Sequence, residues 1–280
     1  MTTLTSGTQI PFDLLAGALT GRAAANATGT LHVPGNPGGR IHLRNGGIIS
    51  VESPGSPGPD ALLLRTGRIS ESEWTTALTT GTRGSIGDTE LHVVAMMSTQ
   101  DAAFTIVAGD VEACVFSPQT LDVAVAMTTA LDPVRLLQET SRRISSLLAL
   151  KHPLSPHRER LVPTTTARLR KHGPVRGEIL AHATGRRTTR DIAFAAGRSV
   201  YPVTIEACRM VADELLTIVP GNAVIAATPH LAVPLRPRQQ PPAFHHPPPD
   251  PTAGDDVPLP RSLRRQLLPK LFKQPERKKP

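Results

Sequence analysis

The stretch TTRDIAFAAGRSVYPVTIEACRM, residues 188–210, carries start and stop signals for two short helices. Thr188 precedes Asp191 by three positions, a capping-box spacing in which both side chains accept hydrogen bonds from free amide groups at a helix start. Gly197 stands where the first helix must end, because glycine adopts the left-handed conformation without steric cost. Ser199 can cap the second helix. The pattern predicts a helix-turn-helix unit.

The second helix, with Pro202 in its first turn, has apolar residues three and four positions apart, which predicts one inward face. Upstream, PVRGEILAHAT predicts a helix that begins at Pro174. Downstream, LLTIVPGNAVIAAT predicts two short strands around a Pro-Gly-Asn turn. In the second helix we expect Val200, Val203, Ala207 and Met210 to face inward and Tyr201, Thr204, Glu206 and Arg209 to lie off that face; in the upstream helix we expect Val175, Ile179, Leu180 and Ala183 to face inward.

Three helices followed by a hairpin resemble the winged helix-turn-helix of MarR-like bacterial regulators. The resemblance covers about residues 170–228 and rests on the order of the elements and on the capping, glycine and proline residues at their ends. It implies a DNA-binding domain whose last helix lies in the major groove.

Charge divides the chain into regions of opposite sign. Residues 1–141 carry a net charge of −6, residues 142–213 a net charge of +9, and residues 230–280 a net charge of +6. A basic block on the helix-turn-helix unit is what phosphate neutralisation requires. The alternative is that these arginines are solvated surface residues, which leaves the acidity of the first region unexplained.

The rest of the composition favours a cytoplasmic protein. No apolar run is long enough to span a bilayer, so we expect no stable membrane insertion. The first residues have no basic leader, which indicates that there is no signal peptide. Cys114 and Cys208 lie far apart without metal-ligand neighbours, and we expect buried, reduced thiols.

The first 150 residues predict an α+β domain of short antiparallel strands and helices. PFDLLAGALTGRA predicts a first helix with Phe12, Leu15 and Leu19 inward. GTLHV, GRIHLRN and GIISVE predict a three-stranded meander. ALLLRTGRISESEWTTAL predicts two helices, with Gly67 closing one and Ser70 and Glu73 opening the next. DTELHVVAMMSTQDAAF predicts another helix, and FTIVAG and EACVF a second hairpin. A helix capped by Asp132 follows, with Val134, Leu137, Ile144, Leu147 and Leu148 inward.

This order of elements resembles the PATAN-like domain, a bacterial signalling module. The resemblance covers roughly residues 8–150 and implies a fold that receives a signal or a protein partner. Glu52 and Ser53 depart from it, since the family usually has a small apolar residue after the third strand. The matching residues are Gly29, Leu31, Gly39, Ile41, Leu43, Gly46, Ile48, Leu63, Leu64, Gly67, Ile69 and Ser70.

The last 52 residues hold 14 of the 28 prolines. This composition predicts a disordered, basic tail over residues 229–280. Its end, RSLRRQLLPKLF, interleaves leucine with basic residues and raises the alternative of contact with lipid or nucleic acid. The predicted organisation is therefore a PATAN-like domain at 8–150, a winged helix at 160–228 and the tail.

No set of residues indicates catalysis. The stretch PGNPGGR lacks the Lys-Ser/Thr of a phosphate loop and lies between predicted strands. His32, His42 and His92 occur singly, which does not fit the spacing of a metal site. We expect a protein that is not an enzyme and holds no cofactor or metal.

The leading hypothesis is a transcriptional regulator that binds double-stranded DNA, with a signal or partner received at the N-terminal domain and a homodimer as one assembly. The alternative is a signalling adaptor that uses both domains for protein contacts and binds no DNA; Glu206, in mid-helix, is a poor neighbour for phosphates. Ser199, Tyr201, Thr204 and Arg209 are the candidate residues on the recognition helix, and Arg186, Arg187, Arg190 and Arg198 are the candidate phosphate contacts.

Overall fold

The computed structural model describes residues 3–22, 24–80, 87–118, 123 and 125–219. These residues form a mixed helical and sheet structure, which confirms the α+β class, and they all belong to one compact unit. No helix in this part of the chain is both long enough and apolar enough to cross a membrane. The predicted tail and the second predicted strand of the wing lie outside the described residues.

A four-stranded antiparallel sheet lies in the first half of the chain. It contains the predicted meander and adds a strand beside β1, giving the order β4-β3-β1-β6. The turn between β3 and β4 uses Asn45 and Gly46, both at positive φ, as a two-residue hairpin requires. The four strands of this sheet are β1 (Gly29–Val33), β3 (Gly39–Arg44), β4 (Gly47–Glu52) and β6 (Val115–Ser117), and β2 (Gly35–Asn36) pairs with β5 (Asp110–Val111) in a separate two-stranded sheet.

Five helices accompany this sheet, and their predicted caps are present. Ser70 and Glu73 exchange the reciprocal bonds of a capping box at the start of α3. Asp132 accepts the Val134 N–H at 2.9 Å at the start of α5. The helices are α1 (Thr3–Thr20), α2 (Pro59–Arg65), α3 (Glu71–Thr80), α4 (Asp88–Val107) and α5 (Pro133–Leu148).

The predicted second hairpin is wrong. The stretch FTIV, residues 104–107, forms the last turn of α4, and the strand from EACVF pairs with β1 instead. Phe104, Ile106 and Val107 are fully buried in the core. Packing of this turn in the core outweighs the strand preference of its β-branched residues.

The helix-turn-helix unit follows the predicted order. Thr188 and Asp191 form the capping box of α8, and Gly197 ends that helix in the left-handed conformation with φ of 63°. The strand β7 was not predicted; it pairs antiparallel with β8. The elements are β7 (Arg160–Pro163), α6 (Thr165–Leu169), α7 (Pro174–His182), α8 (Thr189–Ala196), α9 (Val200–Ala212) and β8 (Leu216–Val219).

Two residues expected to face inward are exposed. Val134 and Val175 lie in the first turns of α5 and α7, with 47% and 39% of their surface accessible. The buried faces of these helices begin further along, at Leu136 and Ile179. Each first turn extends beyond the core that its helix packs against.

One hydrophobic core runs through both halves of the described chain. It includes Leu15 and Ile41 from the first half and Ile192 and Met210 from the helix-turn-helix unit, all fully buried. The predicted segments 8–150 and 160–228 therefore share packed side chains, and this contact decides what the helix-turn-helix can do.

Candidate functional site

The amino end of α9 is held by a carboxylate from the other half of the chain. Asp101 of α4 accepts the Val200 N–H at 2.6 Å and the Tyr201 N–H at 2.9 Å. Its residue surface is 1% accessible. Ser199, the predicted cap, stands at the N-cap position without a side-chain cap bond within the described residues. Asp101 thus takes the role that the sequence assigned to Ser199.

Burial opposes the charge on this carboxylate. It raises the pKa of Asp101 to about 6, although the two backbone N–H donors and the charge of Arg143 act in the opposite direction. Above that pH the carboxylate is ionised and lies at the positive end of the α9 dipole. The contact is therefore charge-assisted at neutral pH.

Tyr201 packs against the N-terminal half. Its ring meets Phe104 edge to face, with centroids 5.2 Å apart. The guanidinium of Arg143 lies 5.0 Å from the Tyr201 centroid. The sequence predicted a DNA contact for Tyr201; the structure instead packs it against α4 and α5.

Thr204 does not lie off the inward face as predicted; it is fully buried. Its hydroxyl donates to the Val200 carbonyl at 2.8 Å and lies 3.0 Å from the Thr189 hydroxyl of α8. The helix itself satisfies this hydroxyl, so threonine can occupy an apolar interface. A base contact by Thr204 does not fit this arrangement.

The solvent side of α9 is not basic. Pro202, Arg209 and Asp213 are exposed along it, with Glu206 half-buried between them. Arg209 bonds to Glu206 at 3.3 Å. Arg176 of α7 bonds to Glu206 at 2.6 Å and to Asp213 at 3.0 Å. The two arginines and the two carboxylates balance, so the face that would meet DNA carries no net positive charge.

The remaining predicted phosphate contacts are not brought together. Arg190 donates to the Pro54 carbonyl at 2.9 Å, and Arg198 forms an ion pair with Glu178. Arg187 lies 3.0 Å from His182 Nδ1, to which it can donate. Arg186 is exposed, with no side-chain partner in the described part of the chain. Of these four arginines, Arg186 alone has a guanidinium without a bonding partner among the described residues.

The turn of the helix-turn-helix is also covered. Arg65 of α2 donates to the Ala195 carbonyl at 3.3 Å. A Cβ on Gly197 would lie 2.4 Å from the Arg65 Cβ. Glycine is therefore required here both by its positive φ and by the close approach of α2.

A groove of about 620 Å³ follows this junction. Met97 on α4 and Val175 on α7 line it and are 48% and 39% accessible. Two ion pairs, Arg68 with Glu90 and Arg198 with Glu178, involve further lining residues. The groove thus offers an apolar floor between paired charges.

A polar cluster lies on the large sheet. Thr30 Oγ1 is 3.0 Å from His42 Nδ1, and His42 Nε2 is 3.6 Å from Glu52. The contact with His42 lowers the pKa of Glu52, with help from Arg40 and against partial burial. Among the described residues, no three His, Cys, Asp or Glu are placed to hold a metal ion.

Both cysteines are free thiols. Cys208 is buried in the core and Cys114 is half-buried. Burial raises the pKa of Cys208 to about 11 and also raises the pKa of Cys114. Both thiols therefore stay protonated and unreactive at neutral pH.

Comparison with known proteins adds no assignment: no protein-family model, no curated protein and no solved structure matches the chain.

Sequence reasoning missed Asp101 as a site residue. A signal was present, since Asp101 interrupts the apolar run that continues as AAFTIV. A carboxylate at such a position must find donors when it is buried. The donors, however, belong to a helix that begins 99 residues later.

Proposed function

We propose that this protein is a cytoplasmic signalling adaptor that works through protein contacts, with the helix-turn-helix unit as a structural part of its binding surface. The observation that carries this proposal is the Asp101 carboxylate on the amino end of α9. Recognition helices present their amino-terminal residues to base edges. Here those residues bond to Asp101 and pack against Phe104.

The charges around α9 support the same proposal. Glu206 and Asp213 lie on its solvent side and bind Arg209, a predicted DNA contact, and Arg176 of α7. A face whose arginines are neutralised by carboxylates offers no net positive charge to the DNA backbone. A protein partner requires no such basic face.

The groove beside α9 is where we place the partner. Its exposed apolar residues, Met97 and Val175, come from opposite halves of the chain. A partner seated there contacts both halves at once, which is how an adaptor couples two surfaces. The PATAN-like resemblance of the first half agrees with this role as an analogy of fold.

A photo-crosslinking residue at position 97 or 175 tests the proposal in cells. The captured protein is then purified and its binding to the full chain measured. We expect Met97→Glu to abolish binding and Val134→Glu, an exposed valine outside the groove, to leave it unchanged. Equal binding by both variants would remove the groove from the proposal.

The second candidate is a DNA-binding regulator, favoured by the order of three helices and a strand. In that function α9 must leave Asp101 before it can enter the major groove. Sequence-specific duplex binding that appears in Asp101→Ala and weakens with Arg209→Ala would establish this candidate in place of the adaptor.

A further inference from the structure

A set of cations near β7 differs from arginines such as Arg142 and Arg176, which bind carboxylates: Arg142 binds Glu139, and Arg176 binds Glu206. Five exposed cations instead have no ion pair or side-chain hydrogen bond within the described ranges. We call them the β7–α6 surface: Arg160, Arg168, Arg170, Lys171 and Arg186.

Backbone pairing brings the segments of Arg160 and Arg186 together. The Leu161 N–H donates to the Arg187 carbonyl at 3.2 Å, and the Gly185 N–H donates to the Leu161 carbonyl at 2.7 Å. The segment that contains Arg186 therefore runs beside β7, which begins at Arg160. Helix α6 follows β7 after the single residue Thr164 and ends next to Arg170.

Few acids accompany these cations. Residues 160–190 hold eight lysines and arginines and one carboxylate, Glu178, which is bound to Arg198. Glu159, next to Arg160, accepts the Ser155 N–H at 2.7 Å. Glu214 is an exposed acid close to this surface. Its backbone carbonyl accepts a hydrogen bond from the hydroxyl of Thr164, the residue before α6. The β7–α6 surface is thus strongly positive.

We infer that the β7–α6 surface binds the phosphate backbone of duplex DNA without reading its sequence and without α9. Four of the five cations are arginines, whose planar forks match phosphate oxygens. Cations without protein counter-charges release the counterions of DNA on binding, which drives association. Contacts to phosphate alone carry no sequence information.

A lipid surface fits these residues less well. Leu169 is 87% accessible among the cations, but α6 has five residues and presents no apolar face of the kind that interfacial helices use. This binding goes beyond the adaptor function and is independent of it. The β7–α6 surface does not include α9, whose amino end is bound to Asp101.

The test compares two triple variants of the full chain with equal loss of charge. The first replaces Arg168, Arg170 and Lys171 by serine. The control replaces Arg40, Arg142 and Arg158 by serine, all exposed, each bound to a carboxylate and all outside the groove. Binding to a short fluorescent duplex of mixed sequence is measured by anisotropy as salt is raised, after circular dichroism has shown both variants folded.

We expect the first variant to make the slope of log affinity against log salt less steep by about three, since each phosphate contact contributes about 0.9 to its magnitude. The control should keep the slope of the native chain, and so should Asp101→Ala. Equal slopes for the two triple variants, or no duplex binding by the native chain, would overturn the inference. Binding to vesicles of phosphatidylcholine with phosphatidylserine, but not to duplex, would also overturn it and assign the surface to lipid.

Duplex binding that arises only in Asp101→Ala would contradict the inference while favouring the regulator. Duplex binding that follows the β7–α6 surface leaves the adaptor proposal intact. The two proposals therefore fail on different results.

Discussion

Asp101 and Tyr201 lie 100 positions apart, and the Asp101 carboxylate accepts the Tyr201 backbone N–H at 2.9 Å. The same carboxylate accepts the Val200 N–H, so two amide groups at the start of α9 depend on one side chain of α4. Secondary structure formed in one half of the chain is therefore completed by the other half.

Asp101→Ala should destabilise the protein by about 1–3 kcal/mol, because it leaves two buried N–H groups without an acceptor. Relief of the buried carboxylate's desolvation offsets part of that cost. Urea unfolding measures the change, and amide exchange should accelerate first at Val200 and Tyr201. Glu112→Ala, at an exposed carboxylate, should change stability by less than about 0.5 kcal/mol. Equal effects of the two variants would mean that the Asp101 contact is not formed in solution.

The stability of the native chain should respond to pH through Asp101. Its pKa in the folded state is about 6, against an ordinary value of 3.8 for aspartate. A raised folded pKa means that the folded state binds this proton more tightly than the unfolded state does. The contribution is therefore complete below about pH 3.8 and is lost as pH rises through about 6.

Comparison with Asp101→Asn isolates this effect, since every other group titrates alike in the two proteins. Between pH 4 and pH 7 the stability of the native chain should fall relative to the variant by about 2 kcal/mol, which is most of the effect of a two-unit pKa difference. Urea midpoints across this range measure the gap. A constant gap would show that the carboxylate is not buried.

The ring contact between Tyr201 and Phe104 should be measurable as a coupling. Tyr201→Phe keeps the ring and should cost little, whereas Tyr201→Leu loses the edge-to-face geometry and the Arg143 contact. A double-mutant cycle with Phe104→Leu should give a coupling of about 0.5–1.5 kcal/mol. Additive losses would place the two rings apart in solution.

Much of the fold was predictable because its signals are local. The Thr188–Asp191 capping box, the Gly197 helix end and the Asn45–Gly46 turn each depend on residues within a few positions of one another. Such signals fix where elements begin and end. The α+β class and most element positions follow from them.

What could not be predicted depends on contacts distant in sequence. The turn containing Ile106 and Val107 has a strand-like composition and becomes helix because the core buries it. Thr204 was expected off the inward face because it is polar, and it is buried because Val200 and Thr189 satisfy its hydroxyl. Asp101 had no visible partner, since its donors are backbone groups of a distant helix.

The hydroxyl pair of Thr189 and Thr204 should show an asymmetry between single variants. Thr204 donates to the Val200 carbonyl, so Thr189 is left to donate to Thr204. Thr204→Val removes the acceptor of a buried hydroxyl and should cost about 1–3 kcal/mol. Thr189→Val leaves Thr204 bonded to Val200 and should cost less. The double variant should recover part of the loss, and thermal unfolding of the four proteins completes the cycle.

Two glycines should respond to alanine in opposite directions. Gly197 has φ of 63°, and a Cβ there would lie 2.4 Å from the Arg65 Cβ. Because that contact involves the root of the side chain, α2 must shift, and Gly197→Ala should cost more than about 1 kcal/mol. Gly17 lies inside α1, where an added Cβ meets nothing within 4 Å. Gly17→Ala should therefore stabilise the protein by about 0.5–1 kcal/mol through helix propensity.

If Gly197→Ala instead left the urea midpoint unchanged, the turn could not be packed against α2, and the covered state of the helix-turn-helix would be wrong. Displacement of α2 in this variant should also speed amide exchange in the first turn of α9. The contact of Arg65 with Gly197 and the contact of Asp101 with Val200 and Tyr201 hold the same end of that helix.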